Sequence, residues 1–432
     1  MKHPAGKTAE SASGVRAGPS AARLEEAASA LGRVLTFEYP ADAVLSRYFR
    51  DRHALGQQDR AFVAEAVFGI LRRRLLLDHL APQATPRQLL LLWLARVAGY
   101  SGRELGGLCS SAETQWLNTT RAQGALPLPV EADLPQWVID RLPEHDADFI
   151  RALGRALQEP APLDLRVNTM RATRDEVLAR LNAEGIAAAP TPLSPAGIRL
   201  QGKPALARHP LFTGGAIEVQ DEGSQLLGYL LAPRRSDLVV DFCAGAGGKT
   251  LMLGALMNSQ GRIYAFDVSE KRMARLKPRL KRSGLSNLHP LVIAHENDTK
   301  VKRLAGKIDR VLVDAPCSGL GTLRRNPDLK FRQSPESVTE LAAKQASILG
   351  AAARLVKPGG RLVYATCSLL AEENRDVVAA FLKARPEFRP LDCGDILRRQ
   401  GIALDCGEQM QLWPHIHRTD GFFAAAMERA AG

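Results

Sequence analysis

The chain has 432 residues and a formal net charge of +12, from 58 Lys and Arg against 46 Asp and Glu. That length exceeds what one hydrophobic core fills, so roughly two to four domains are expected, and the charge points to a polyanionic partner, most simply nucleic acid. Its six cysteines (Cys109, Cys243, Cys317, Cys367, Cys393, Cys406) lie far apart with no CxxC pair, which excludes a disulfide framework and suits the reducing cytoplasm.

The opening "MKHPAGKTAESASG" has no apolar core of a secretory signal. Residues 1–20, rich in Ala, Gly and Ser, are expected to form a disordered tail. From 21 to 128 apolar residues recur at three- and four-residue spacing, as in "AARLEEAASALGRVL" and "QQDRAFVAEAVFGILRRRLLLDHL", which predicts an all-helical domain. "TPRQLLLLWLARVAGY" begins with a Thr85 cap and Pro86 at the first helical position. Its apolar run is too short to span a membrane and contains Arg96, so no membrane is expected as a partner. Arg72, Arg73 and Arg74 either meet phosphate or form a solvated helix face. The Pro-rich "GALPLPVEADLP" at 124–135 reads as a linker. "PLDLRVNTM" (strand), "TRDEVLARLNAEG" (helix) and "IAAAPTPLSPAGIRL" (loop and strand) predict a small α+β, RRM-like module at 135–215.

From 216 to 432 strands and helices alternate. "SDLVVDFCA", "GRIYAFDVS", "LHPLVIA", "DRVLVDA" and "GRLVYATCS" are short β-branched runs separated by helical segments. This pattern predicts an α/β, Rossmann-like doubly wound parallel sheet. The first run opens into "DFCAGAGGKT" at 241–250. A P-loop would need glycine where Cys243 stands, and a dinucleotide fingerprint would need glycine at Thr250. An S-adenosylmethionine loop needs only a tight glycine turn, here Cys243, Ala244, Gly245, Ala246, Gly247, Gly248 and Lys249, with carboxylates for the ligand's hydroxyl and amino groups. Asp241 and Asp267 end the first and second strands, Asp298 follows the third, beside the expected adenine, and Asp314 ends the fourth. Carboxylates at four strand ends carry the expectation of S-adenosylmethionine as cofactor.

The fourth and fifth strands deliver "DAPCSG" and "YATCSLLAEEN", so Cys317 and Cys367 are expected in one crevice. Two thiols beside a methyl donor suggest methylation at carbon 5 of a pyrimidine. That carbon is a poor nucleophile until a thiolate adds to carbon 6. Asp314 is placed to hydrogen-bond N3 as charge builds. Spacing alone leaves open which cysteine attacks.

Residues 135–428 resemble the Nop/Sun family of RNA cytosine-C5 methyltransferases. The resemblance rests on "LRVNTM", "VQDEGSQL", "DFCAGAGGKT", "DAPCSGLGTLRRNPD", "YATCSLLAEEN" and "DGFFAAAMER". It implies that Cys367 is the nucleophile, that Cys317 assists release of the methylated base, that Lys249 is the active-site lysine and that Asp314 contacts the base. The family's usual loop reads Cys-Ala-Ala-Pro-Gly-Gly-Lys, whereas Gly245 and Ala246 stand here for Ala-Pro. That change costs loop order of a few tenths to about 1 kcal/mol. Residues 33–80 resemble the NusB-like RNA-binding domain of the bacterial Sun/RsmB branch, which implies 16S ribosomal RNA as substrate.

"RRNPDLKFRQ" at 324–333 offers Arg324, Arg325, Lys330, Arg332 and Phe331, cations and a ring that suit a splayed RNA strand. "KRMARLKPRLKR" at 271–282 either tracks RNA or forms a solvated face. Cys406, His415 and His417 fit no zinc spacing, so no metal is expected. A monomer is expected. Two rival readings are the same chemistry on tRNA and a non-catalytic RNA-binding or ribosome-assembly factor.

Overall fold

The structure, a computed structural model, describes residues 18–120 and 124–431. The expected tail, as far as residue 17, lies outside the described residues. The chain divides into two compact units, Met1–Asp133 and Leu134–Gly432.

The described part of the first unit is helical. Ser20 accepts from the Arg23 amide at 3.3 Å and starts the helix Ala21–Val34. Thr85 and Gln88 form a reciprocal capping box at the head of Pro86–Arg96, whose residues Leu89 to Leu94 are all buried. A helix apolar on every side belongs inside a bundle, and this one packs with Ala21–Val34 and Gln57–Arg72. The arginine run is largely spent within the unit. Arg72 lies over the Phe68 ring, Arg73 pairs with Asp133 at 3.4 Å and Arg74 with Asp78 at 2.7 Å. Part of the expected linker is ordered as the short helix Leu128–Ala132, and Asp133 behind it accepts from the Leu75 amide at 2.9 Å.

The second unit holds two sheets. The small one is antiparallel and runs β2-β3-β1-β4, from β1 (Leu163–Val167), β2 (Ala188–Pro190), β3 (Gly197–Leu200) and β4 (Ile217–Val219). Its fourth strand lies past the expected module boundary at 215, because Leu165, Arg166 and Val167 pair with Val219, Glu218 and Ile217.

The large sheet contains β5 (Leu238–Asp241), β6 (Arg262–Asp267), β7 (Leu288–Val292), β8 (Ile308–Asp314), β9 (Val356–Thr366), β10 (Phe388–Leu391), β11 (Gln409–Leu412) and β12 (Phe422–Arg429). Its order is β10-β12-β9-β8-β5-β6-β7, with β11 also paired to β12. Strands β5 to β9 are parallel, as the five β-branched runs predict. The C-terminal strands add an antiparallel edge that the runs did not signal, with β12 beside β9. Neighbouring residues of β5 face opposite sides. Val239 joins the core under helices Glu222–Leu231 and Gly248–Leu256, and Val240 the core under Pro335–Ala353 and Arg375–Ala384. The chain winds outward from β5 through β6 to β7, then returns to the other side of β5 as β8. The crevice at such a reversal, beyond the strands' C-terminal ends, is where ligands bind in sheets of this kind.

Among the described residues no helix is long and apolar enough to cross a membrane. None of their His, Cys, Asp and Glu side chains form a group of three able to hold a metal ion.

Candidate active site

A cleft of about 630 Å³ opens at that reversal, within the range of small-molecule sites. The glycine loop connects the end of β5 to the helix Gly248–Leu256. Gly247 makes the turn at φ +81°, and a Cβ there would lie 2.1 Å from Leu276 Cδ1. Only glycine fits both the conformation and the gap. Gly245 also has a positive φ, +57°, so glycine is unstrained at the position where the family's usual loop has alanine. The loop is held from outside by side chains. The Gly245 amide donates to Asp267 Oδ2 at 2.8 Å, Arg279 Nη1 donates to the Ala246 carbonyl at 2.7 Å, and Arg166 Nη1 donates to the Gly248 carbonyl at 2.6 Å. Arg279 is itself fixed by Glu218 at 2.9 Å.

Cys243, Ala244, Gly245, Ala246, Gly248 and Lys249 line the cleft, and Gly247 sits behind them against Leu276. Asp241, Asp267 and Asp314 line it too. Asp241 accepts from Thr250 Oγ1 at 2.7 Å, while its Oδ1 is buried with no hydrogen-bond partner. Burial pushes this carboxyl up to about 7, with Asp314 and Asp267 adding to the rise and Thr250 opposing it. Asp267 accepts from the Gly245 and Ser269 amides and pairs with Arg272 at 3.0 Å. Burial, and then the same carboxylates, raise the Cys243 thiol.

Asp298 is placed elsewhere. Its carboxylate accepts from the amides of Ala294 and Lys300, both at 2.9 Å, and caps the turn Thr299–Lys302. These two amide bonds hold its carboxyl below the usual range. The cleft wall here is made by Ile293, Ala294, His295 and Glu296 instead.

Asp314 ends β8 and Cys367 follows the end of β9. Lys249 Nζ donates to Asp314 Oδ2 at 2.6 Å and lies 5.8 Å from the centre of the Phe422 ring. Burial lowers the lysine, but the charge and hydrogen bond of Asp314 outweigh it, so Lys249 ends above its usual value and stays an ammonium. The two thiols meet, with Cys317 Sγ 3.4 Å from Cys367 Sγ. Hydrogen bonding to Cys367, then burial, hold the Cys317 thiol well above the ordinary cysteine range.

The loop after Cys317 differs from the expected RNA contact. Arg324 is 5% exposed and Lys330 4%. Arg324 pairs with Asp420 at 2.9 Å, Arg325 with Asp420 at 2.5 Å and Asp221 at 2.9 Å, and Arg332 with Asp328 at 3.5 Å. Two buried carboxylates offset the cost of taking Arg324 and Arg325 out of water. Arg324 and Arg325 brace "VQDEGSQL" against "DGFF" through Asp221 and Asp420, where the expectation was phosphate contact.

Residue patterns missed a second group behind the thiols. Glu373, Ser318, Ser368 and Gln345 are buried and hydrogen-bonded together. The one signal for it was the Cys-Ser pair repeated at 317–318 and 367–368.

Comparison with known proteins agrees with this architecture. Residues 228–428 match the family described as 16S rRNA methyltransferase RsmB/F, and residues 134–207 match its ferredoxin-like domain. The chain is 30% identical over 417 residues to the probable ribosomal RNA small subunit methyltransferase B of Bacillus subtilis, covering 87% of this chain and 92% of that one. It is 34% identical over 407 residues to ribosomal RNA small subunit methyltransferase B of Sodalis glossinidius, covering 86% and 90%. The crystal structure of PH0851 superposes with a TM-score of 0.79 at 26% identity, over 96% of this chain and all of that one.

Proposed function

The chain belongs to the RsmB/F branch of the Nop/Sun methyltransferases, and from that membership we propose that it forms 5-methylcytosine in 16S ribosomal RNA through a covalent cysteine–cytosine adduct. The observation that carries the reading is the pair of thiols 3.4 Å apart, lining a cleft that also holds the Lys249–Asp314 pair.

S-adenosylmethionine, the family's cofactor, supplies a methyl group activated by a positively charged sulfur. The cleft residues fit it. Asp241 Oδ1 is a buried acceptor still lacking a donor, suited to the ligand's ammonium group. Asp267 Oδ1 takes the Ser269 amide and Arg272, whereas Oδ2 takes the Gly245 amide and keeps a lone pair for a hydroxyl group.

The target base leaves its stack to enter the site. Cys367 Sγ, as thiolate, forms a bond to carbon 6, and the C5=C6 electron pair moves toward carbon 5 and N3. Asp314 hands N3 a proton as charge gathers there, drawing it from the Lys249 ammonium that donates to its Oδ2 at 2.6 Å. Carbon 5, now an enamine carbon, would take the methyl group, the electron pair of the broken S–CH3 bond staying on the cofactor's sulfur. The C5 proton then passes to water, the C5=C6 bond re-forms as the Cys367 sulfur leaves carbon 6, and N3 returns its proton to the Lys249–Asp314 pair. Cys317, held as a thiol, hydrogen-bonds the departing sulfur across the 3.4 Å gap.

Replacing Cys367 with alanine should give no methylated product. Replacing Cys317 with alanine should instead leave protein joined to RNA, seen as a slow band on a denaturing gel. The opposite pattern would exchange the two roles. Bisulfite sequencing of RNA from a deletion strain tests the substrate, because loss of 5-methylcytosine only in tRNA would sink the ribosomal assignment.

A further inference from the structure

A carboxylate taken out of water needs donors on its oxygens. Glu373, in the 3-10 turn Ala371–Glu373, is 0% exposed. Its Oε1 accepts from the Ser318 amide at 2.8 Å and from Gln345 Nε2 at 2.9 Å. Its Oε2 accepts from Ser318 Oγ at 2.5 Å and from Ser368 Oγ. All four donors are neutral, so the charge is solvated by hydrogen bonds instead of being cancelled.

Where those donors sit in the chain matters more than their number. Ser318 follows Cys317 and Ser368 follows Cys367, so one carboxylate grips the residue after each thiol. Gln345 Nε2 also donates to the Pro316 carbonyl at 2.9 Å, so Cys317 is fixed on both sides. The Cys367 side is closed by Thr366 Oγ1 on Asn374 at 2.5 Å, by Asn374 Nδ2 on the Ser368 carbonyl at 3.1 Å and by the Gly321 amide on the Cys367 carbonyl at 2.9 Å. Tyr364, within β9, donates to the Glu373 carbonyl at 2.6 Å and holds the turn itself in place.

We propose that Glu373 is a positioning residue for the two-cysteine chemistry: its carboxylate ties the loops after β8 and β9 together and thereby sets the distance and division of roles between Cys317 and Cys367. The inference rests on the cytosine reading above. The Glu373 charge also has an electrical effect. The titratable groups facing Cys317 are Cys367, Glu373 and Tyr364, with Lys249 and Asp314 across the cleft. After the Cys367 hydrogen bond and burial, the charges of Cys367 and Glu373 add to the rise of the Cys317 thiol. A thiol kept protonated can donate to a departing sulfur but is a poor attacker.

Glu373→Gln in the full chain keeps the size, removes the charge and turns one acceptor into a donor. Its kcat should fall about 100-fold, the usual consequence of misplacing a reacting group by about 1 Å. The KM for RNA and the Kd for S-adenosylhomocysteine should stay within about twofold of wild type, since neither contact is removed. In a Cys367→Ala background, the rate of Cys317 alkylation by iodoacetamide should rise at lower pH once Glu373 is Gln, and should keep its profile with Glu373→Asp. Should Glu373→Gln fail to fold, Ser368→Ala loosens the Cys367 side alone and should lower kcat with an unchanged Kd. A wild-type kcat in whichever of these variants folds would overturn the proposal. A lowered kcat with an unmoved Cys317 profile in Glu373→Gln would reduce Glu373 to a packing role. Alkylation needs no RNA, so a shifted Cys317 profile together with a wild-type protein that methylates no cytosine would sink the functional reading and leave the clamp standing.

Discussion

At the scale of single residues, the cleft divides carboxylates by what surrounds them. Asp241 and Asp298 both follow strands and look alike as letters. One is buried in the cleft with an unpartnered oxygen, and the other lies outside the cleft lining, accepting the Ala294 and Lys300 amides. Nothing in "HENDTK" tells that the loop curls back so that Asp298 caps the next turn. For Asp241 the surroundings have a measurable result. Its carboxyl is pushed up to about 7 by burial, so below that pH it carries a proton and is a poor acceptor for an ammonium group. A bound cation stabilises the charged form, so cofactor affinity should rise with pH through about 7 and fall by up to about tenfold per unit below it. Calorimetry with S-adenosylhomocysteine from pH 5.5 to 8.5, roughly bracketing that transition, measures this. A slope that survives Asp241→Asn would assign the proton elsewhere. Glu373 was illegible for a related reason: "AEEN" shows two charges and gives no sign that the second is wholly buried.

At the scale of elements, the parallel strands were legible because each is a short β-branched run closed by a polar end, and burial on both faces demands that composition. The antiparallel β12 was not, since the alanines of "FFAAAMER" suit a helix as well as a strand, and only its neighbours β9, β10 and β11 decide. The glycine loop lies between these cases: its glycines are visible in the sequence, the reason for each is not. Gly247→Ala would force a left-handed alanine against fully buried Leu276. A cost on the order of 2 kcal/mol is expected from backbone strain and overlap together. It should appear as a lowered unfolding midpoint and weaker cofactor binding, whereas Gly248→Ala, with no heavy atom within 3.4 Å of the added carbon, should be milder. Equal midpoints for the two variants would remove Leu276 from the explanation.

Across the whole molecule, the excess of 12 positive charges predicts a polyanionic partner, but individual cations are unequal candidates to meet it. Arg324, Arg325, Lys330 and the run at 72–74 are buried or turned inward, and charge in a sequence carries no label of its partner. Helix Glu270–Ser283 keeps Lys271, Arg275, Lys277 and Lys281 exposed. Changing the three lysines to glutamine should weaken RNA binding across sequences and flatten its dependence on salt, by about 0.7 in the log–log slope for each lost phosphate contact on a single strand. An unchanged slope would move the RNA path off this helix. The order of the strands adds a constraint on how such a protein can be divided. β4 completes the small sheet, yet two residues later the chain enters helix Glu222–Leu231, every residue of which is buried and whose Leu226, Leu227, Tyr229, Leu230 and Leu231 belong to the larger core. A cut at 215 would strip a strand from one sheet and leave it dangling from the other. The module and the catalytic fold are therefore a single inheritable piece, and any exchange of substrate-recognition modules between relatives has to carry that strand and helix with it.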